Sequence, residues 1–209
     1  MLSPPPPLHL VMPITVEPSK PRMCHDERFR NCWIRDCPFR LDYLTDLCRY
    51  VEPGHYQTTF DDKSGYDHIR LHPRSSTFFG FQWECWYFTY AALPFGWKAS
   101  AFVYNTVGMA ATHFIRSLGV PCPQYIDYWH VRQLRLRPRA SGMCVFSNFQ
   151  LAEMAAFTAY SVVISLGYFI GLNKSYLAPS MGRRFLRYVC DLEKQAFLFP
   201  QDEKEKCFG

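Results

Sequence analysis

No two of the nine cysteines have the CxxC spacing of common metal and redox motifs, and their number is odd. No apolar segment like that of a secretion signal follows the N-terminus, which reads Met-Leu-Ser and then four prolines. We therefore expect reduced thiols in an intracellular protein, cytoplasmic or nuclear, that is not secreted. A zinc site is the alternative, although its spacing does not fit the common structural sites: Cys24, His25, Cys32 and Cys37.

Charged residues are missing from Met154 to Leu172. This run is nearly as long as a bilayer-spanning helix, which needs about 20 residues. Gly167 interrupts it, and its polar residues lie mostly on one side. We predict a helix of a globular protein here and expect no membrane partner. A membrane-attached protein that uses residues 154–172 remains an alternative from another functional class.

The overall composition is that of a globular protein, with 48% hydrophobic and 20% charged residues in a chain of 209. This length allows one domain with a sizeable core, or a large and a small lobe. The net charge of +5 is compatible with a polyanionic partner but is too common to identify one. Seven of the sixteen prolines lie in residues 1–21, which predicts an extended arm.

Apolar residues recur at helical spacing in two long segments, 98–118 and 151–166. Gly119 and Gly167 end these helices, and Ser147 or Asn148 is predicted to cap the second. Strands are predicted at 57–61, 69–72, 77–83, 86–92, 124–128, 184–190 and 195–199. A short helix is expected at 42–47 and a basic loop at 131–142. A solvated face is predicted for five arginines: Arg22, Arg28, Arg30, Arg35 and Arg40.

This order of elements predicts an α+β fold in which two helices pack on one face of an antiparallel sheet. Asp61 ends one predicted strand, and Asp127 lies in another that is far away in sequence. If the two strands are neighbours, both carboxylates meet at one sheet edge. Two such carboxylates are what a two-metal phosphoryl-transfer site needs.

Taken in order, these segments resemble the fingers and palm of a reverse transcriptase from a retrotransposon of the gypsy or DIRS-like type. The resemblance runs from about residue 20 to 199. Its motifs are the fingers segment Arg22–Asn31, the first catalytic motif Phe60–Tyr66, the template and nucleotide motif Leu93–Ser100, the YxDD box Tyr125–Tyr128, the lysine motif Leu166–Ser175 and the primer-grip hairpin Phe185–Tyr188.

The resemblance implies a polymerase palm, ferredoxin-like, with a partial fingers subdomain at 20–200. It also implies an arm at 1–19 and a truncated start of a thumb at 201–209. The implied partners are an RNA or DNA template-primer and a deoxynucleoside triphosphate, and the implied cofactor is Mg²⁺, with Mn²⁺ possible. The oligomeric state is left open.

The resemblance also assigns roles to individual residues. Asp61 and Asp127 would bind the metals with the backbone carbonyl of Asp62, because adjacent strand side chains point to opposite faces. Lys174 would protonate the leaving pyrophosphate. The nucleotide-binding residues would be Arg22, Tyr66, Phe95, Gly96 and Lys98. The template or primer would contact Trp97, Tyr125, Phe185 and Leu186.

Three positions depart from the family pattern. Tyr128 stands where the YxDD box has its second Asp, and a phenol cannot replace a carboxylate as a metal ligand. Arg187 stands where the primer-grip hairpin usually has glycine, and Glu84-Cys85 replaces a glycine turn. The expected function is template-directed DNA synthesis by two-metal nucleotidyl transfer, weakened or lost. The alternative is a catalytically dead relic, or polyprotein fragment, that at most binds nucleic acid.

Overall fold

The computed structural model describes residues 7–19, 23–50, 52–134 and 146–200. These residues form two compact units. The first unit comprises the described residues up to Phe39 together with Ser64–Tyr104. The second unit comprises Arg40–Lys63 together with the described residues from Asn105 onward.

The described residues include five α-helices and eleven strands. The helices are α1 (Arg28–Trp33), α2 (Leu44–Leu47), α3 (Pro73–Ser76), α4 (Lys98–Ser117) and α5 (Asn148–Ser165). The strands are β1 (Ile14–Val16), β2 (Met23–His25), β3 (Gln57–Asp61), β4 (Gly80–Trp83), β5 (Trp86–Thr89), β6 (Gln124–Tyr125), β7 (Tyr128–Arg132), β8 (Tyr176–Ser180), β9 (Gly182–Phe185), β10 (Tyr188–Asp191) and β11 (Ala196–Leu198).

A four-stranded sheet in the order β6-β7-β3-β8 forms the centre of the second unit, and each pairing within it is antiparallel. Phe60 of β3 lies opposite Trp129 of β7, and their rings stack at 5.6 Å. Tyr160 of α5 contacts Phe60 edge-on from the same side. Gln124 pairs with Trp129 and accepts a hydrogen bond from Thr112 of α4. Both long helices therefore pack on one face of the sheet, and the α+β prediction is confirmed.

The opposite face of β3 and β7 is polar, because side chains alternate along a strand. Its central residues are Gln57, Thr59, His130 and Arg132, all almost fully buried. A second sheet of β9, β10 and β11 covers them. Gln57 donates to the carbonyl oxygens of Met181 and Cys190, and the His130 ring contacts Phe185 edge-on. This pattern makes the polar face of the sheet a second buried layer.

Both predicted long helices are confirmed. Ser147 caps α5 through a capping box with Gln150, in which each side chain bonds to the other residue's backbone. Gly167, at φ +88°, follows the end of α5, and Gly119, at φ +86°, follows α4. Among the described residues, no helix has the length and apolar character needed to cross a membrane.

The first unit is built around a buried charged cluster. His25 at the end of β2 shares a 2.7 Å hydrogen bond with Glu27, and Arg30 of α1 forms an ion pair with the same carboxylate. The Arg30 guanidinium also lies 4.1 Å from the ring centroid of Phe79. Arg30 is only 6% exposed. The prediction of a solvated face was therefore wrong for this arginine, because α1 turns it inward onto Glu27.

Some predicted strands differ from the structure. Residues 69–72 form no strand, since only Arg70 makes an isolated bridge, to Ala92. Residues 124–128 are not one strand but contain β6, the two-residue turn of the β6–β7 hairpin and the first residue of β7. Arg132 was placed in a basic loop but lies in β7, fully buried. Other arginines predicted for that loop, Arg135, Arg137 and Arg139, lie outside the described residues.

We predict that acid destabilises the second unit through His130. Burial, and to a smaller extent Arg132, holds the pKa of this histidine well below its ordinary range. The unfolded chain therefore binds a proton at this histidine near pH 6.5, whereas the folded chain does not. The contribution of His130 to the free energy of unfolding is fully present above that pH and is lost as the pH falls below it. The expected slope is at most about 1.4 kcal/mol per pH unit.

Urea unfolding at pH 7.5 and 5.5 measures this slope. His130→Gln should reduce the difference between the two pH values, and His113→Gln, on the exposed surface of α4, should leave it unchanged. Equal slopes in both variants would contradict the prediction.

Candidate active site

The antiparallel register of β3 and β7 brings the predicted catalytic segments together. Asp61, the last residue of β3, lies opposite Tyr128, the first residue of β7. One residue on, the backbone N–H of Asp62 donates to the carbonyl oxygen of Asp127 at 2.8 Å. Asp61 and Asp127 are both partly exposed. The two carboxylates therefore come from adjacent backbones at the same end of the sheet.

The turn that carries Asp127 is fixed by side chains on neighbouring elements. Ile126 has φ +52°, which is unusual for a β-branched residue. The Gln124 amide donates to the Ile126 carbonyl oxygen at 2.7 Å and accepts from Thr112. A Cβ added to Gly108 would lie 2.2 Å from the Gln124 amide nitrogen. Helix α4 thus needs glycine at this position to let Gln124 hold the turn.

Asp62 has a different environment from Asp61. It is 2% exposed, and one of its carboxylate oxygens accepts a 2.9 Å hydrogen bond from the indole N–H of Trp129. Its carboxylate therefore lies on the helix-covered face of the sheet, as the alternation of strand side chains predicts. The metal-binding role assigned to its backbone carbonyl stays a prediction.

Tyr128 occupies the position that faces Asp61 across the two strands. Its ring packs on Phe185 at 5.5 Å, and its hydroxyl donates to the Arg184 carbonyl oxygen at 2.8 Å. Burial raises the pKa of Tyr128, so the phenol stays protonated near neutral pH. The side chain is a neutral hydrogen-bond donor that connects the β6–β7 hairpin to the β9–β10 hairpin.

An open pocket of about 280 Å³ lies in front of Asp61. Lys174, the last residue of the 3₁₀ turn Leu172–Lys174, places its Nζ 3.5 Å from an Asp61 carboxylate oxygen. The Lys174 side chain is 66% exposed, and that of Asp61 is 13% exposed. The other residues around the pocket are Tyr128, Asn173, Tyr176, Arg184 and Leu186. The pocket therefore combines one carboxylate with two cations and two phenols.

The hairpin of β9 and β10 differs from its prediction at the turn. Phe185 pairs with Tyr188, so Leu186 and Arg187 form a two-residue turn. The left-handed residue is Leu186, at φ +56°, whereas Arg187 is not in that region. Arg187, which stands where the family hairpin usually has glycine, therefore does not adopt the conformation that favours glycine. Phe185 is fully buried, and Leu186 lines the pocket.

Three of the predicted nucleotide-binding residues lie together in the first unit. The Tyr66 ring lies 4.9 Å from Phe95 and 5.5 Å from Tyr104. Gly96 follows at φ +99°, and a Cβ there would lie 2.3 Å from the His25 carbonyl oxygen. Only glycine fits this close approach of two backbones.

Asn31 fixes the entrance to α4. Its amide donates to the Gly96 carbonyl oxygen at 2.9 Å and accepts from the Lys98 backbone N–H at 3.0 Å. The Lys98 side chain forms an ion pair with Asp36 at 3.0 Å, and the Trp97 ring contacts Phe79 edge-on. Tyr125, in the second unit, is half-buried and pairs with Tyr128. Arg22 lies outside the described residues.

Sequence reasoning did not identify the partners that fix these residues. Trp129, Gln124 and Gly108 position the carboxylates from positions with no motif of their own. One signal was available in the sequence: Tyr128, His130 and Arg132 alternate with Trp129 and Val131. It indicates a strand with two buried faces that continues beyond residue 128.

We predict unequal losses of stability when the two adjacent aspartates are replaced. Asp62→Ala leaves the buried indole N–H of Trp129 without this acceptor and should lower the free energy of unfolding by about 1–3 kcal/mol. Asp61→Ala removes a long 3.5 Å ion pair whose partner, Lys174, is exposed to solvent, and should cost less than about 1 kcal/mol. Urea denaturation of both variants measures the difference, and equal losses would contradict the assignment of the two side chains to opposite faces.

Comparison with known proteins gives matches among solved structures alone. No family model matches the chain, and no curated protein matches it. A foamy viral protease-reverse transcriptase in complex with dsDNA is 18% identical at a TM-score of 0.72, covering 95% of this chain and 38% of that one. The same type of protein in complex with RNA/DNA hybrid is 18% identical at a TM-score of 0.68, and the match covers 97% of this chain and 25% of that one.

A native prototype foamy virus protease-reverse transcriptase is 17% identical at a TM-score of 0.66, with 90% of this chain and 24% of that chain covered. This chain thus spans less than two fifths of the length of each of these proteins. At such identities the likeness establishes the fold and not the activity. The chain has a reverse transcriptase-like fold.

Proposed function

We propose that this chain is the fingers and palm part of a retroelement polymerase that synthesises DNA on an RNA or DNA template. The observation that carries the proposal is the β3–β7 register, which sets Asp61 beside the backbone of Asp127 in a chain of reverse transcriptase-like fold. In this proposal the primer's 3′-hydroxyl attacks the α-phosphate of a deoxynucleoside triphosphate and pyrophosphate leaves.

The donor set in this part of the molecule fits Mg²⁺. Magnesium is commonly held by one or two carboxylates and completed by substrate phosphates. Asp61 and Asp127 would hold it, and Mn²⁺ would suit the same oxygen ligands. A bound divalent cation would neutralise phosphate charge and activate the attacking hydroxyl. Among the described residues no group of three or more metal-ligating side chains occurs.

The remaining residues of the pocket have roles that follow from their charge. Lys174, 3.5 Å from Asp61, would supply a proton to the leaving pyrophosphate. The neutral phenol of Tyr128 offers no metal ligand and occupies space in front of Asp61. We therefore expect weak catalysis, because the loss of a charged group at such a site costs several kcal/mol of barrier.

The proposed partner is a template-primer duplex. The comparison proteins were solved with dsDNA and with RNA/DNA hybrid, and the net charge of +5 suits a polyanion. The predicted nucleotide-binding residues of the first unit, Tyr66, Phe95 and Gly96, would serve the incoming nucleotide. Trp97, Tyr125 and Leu186 would contact the template or primer.

A second candidate is a relic that binds nucleic acid without catalysis. The observation that favours it is the anchoring of Tyr128 by Phe185 and by the Arg184 carbonyl oxygen. A side chain integrated in this way is part of the packing between the two hairpins. Under this hypothesis the site cannot be restored by one substitution without disturbing those contacts.

Primer extension on an RNA template, with Mg²⁺ and then Mn²⁺, tests the proposal. We expect the natural chain to extend a primer weakly above an Asp61→Asn blank, and Tyr128→Asp to extend it at least about tenfold faster, because a metal-binding carboxylate is regained. Tyr128→Asn is the matched control, since it removes the same ring and the same hydroxyl contact without adding charge.

The control separates the two candidate functions. If Tyr128→Asp is active and Tyr128→Asn is not, the added carboxylate is responsible and the polymerase proposal stands. If none of the variants extends the primer while fluorescence anisotropy still detects binding of the duplex, the relic hypothesis holds. Absence of both activity and binding would contradict both.

A further inference from the structure

Strand β5 of the first unit has an open edge. It pairs with β4 along one side, and the two strands form a sheet of their own. On the other side, the next hydrogen bond lies beyond the strand, where the Leu71 backbone N–H donates to the Ala91 carbonyl oxygen at 2.9 Å. Within the described residues, no backbone pairs with the outer edge of β5. An unpaired strand edge is a template for a further strand.

The unpaired groups at this edge belong to Tyr87 and Thr89. In an antiparallel pair, the N–H and C=O groups of successive residues point alternately toward the partner strand and away from it. The Tyr90 N–H donates toward β4, to the Phe79 carbonyl oxygen at 3.0 Å, whereas the Ala91 carbonyl faces the other side. Residues 87 and 89 share the orientation of Ala91. Each of them therefore directs one donor and one acceptor outward.

The side chains around the edge are aromatic and exposed to solvent. The exposed fraction ranges from 43% to 67% for four of them, Trp83, Trp86, Tyr87 and Phe88. Residues 86–92 contain no charge and no proline, the features with which many edge strands prevent pairing. This composition favours a partner strand that is itself uncharged and aromatic.

The open segment is limited at both ends. The two-residue turn Glu84-Cys85 precedes β5, and the hydrogen bond from Leu71 occupies the edge from Ala91 onward. Residues 86–90 are thus available for a further strand. Antiparallel pairing of this segment with its own copy, centred on Phe88, uses these residues alone.

In this register the open backbone groups complement one another. Tyr87 of each copy lies opposite Thr89 of the other, and each such pair exchanges two hydrogen bonds. No charged side chains meet across the two strands, and cross-strand aromatic pairs stabilise a sheet. Phe88 faces its counterpart at the two-fold axis, beside Phe81, on which it stacks at 5.3 Å within its own hairpin.

We propose that two copies of this chain form a symmetric dimer by antiparallel pairing of β5 with β5. The result is a four-stranded sheet in the order β4-β5-β5-β4. The outer edge of β4 is already bonded at Gly80, whose N–H donates to the Leu10 carbonyl oxygen and whose own carbonyl oxygen accepts from Met12. Both copies use the same surface, so the interface closes on itself. The proposal does not depend on polymerase activity, because every residue it uses belongs to the first unit and none is a predicted metal ligand.

Sedimentation equilibrium over a range of protein concentrations tests the proposal, and we expect a reversible monomer–dimer equilibrium. Thr89→Pro should raise the dimer dissociation constant about tenfold or more, because it removes an outward N–H twice per dimer without removing a bond to β4. Gln82→Pro is the matched control. Gln82 pairs with Tyr87, so its N–H points outward from the opposite edge of the same hairpin, and its loss should leave the dissociation constant unchanged. Reducing agent excludes disulfide-linked dimers through Cys85, an exposed free thiol.

Amide hydrogen exchange of the natural chain gives a second measurement that needs no variant. The Tyr87 and Thr89 amides should exchange more slowly as the protein concentration rises, and the Gln82 amide should not. Circular dichroism and thermal melting verify that each variant is folded. A monomer at every concentration, a dimer that folded Thr89→Pro leaves intact, or exchange at Tyr87 and Thr89 that is independent of concentration would each overturn the proposal.

Discussion

The antiparallel pairing of β3 with β7 is the constraint on which the second unit depends. Because strand side chains alternate, this one register sends Asp61 and Tyr128 to one face and Asp62 and Trp129 to the other. A slip of one residue would exchange the two faces and bury Asp61 against the helices. The stacked pair of Phe60 and Trp129, fully buried, makes that slip costly. The packing of Phe60 and Trp129 on one face of the sheet thus determines that Asp61 and Tyr128 lie on the other.

The polar face of the sheet is itself buried over most of its length. Gln57, His130 and Arg132 lie beneath β9 and β10, and the carboxylate end of the sheet alone stays open to the pocket. Burying such groups costs free energy unless they are hydrogen-bonded, and Gln57 meets this need with two backbone carbonyls. The Tyr128 side chain continues the contact between this sheet face and the β9–β10 hairpin toward Asp61. Through its contacts with Phe185 and Arg184, Tyr128 joins the pocket in front of Asp61 to the packing of the two hairpins.

The two units combine different physical environments in one chain. The second unit has carboxylates and a lysine at a sheet edge. The first unit has close backbone approaches fixed by Gly96 and Asn31, and an apolar cavity lined by two arginines.

The sequence by itself determined the α+β class, both long helices and the strand that ends in Asp61. These follow from local periodicity and from the order of motifs, which a single chain displays directly. Only the tertiary structure decided that Arg30 and Arg132 are buried, that Leu186 and not Arg187 takes the left-handed turn, and that Tyr128 bonds to Arg184. The burial of Arg30 and the hydrogen bond of Tyr128 depend on partners distant in sequence, Phe79 and Arg184, and no local pattern encodes which distant surface a polar side chain will meet.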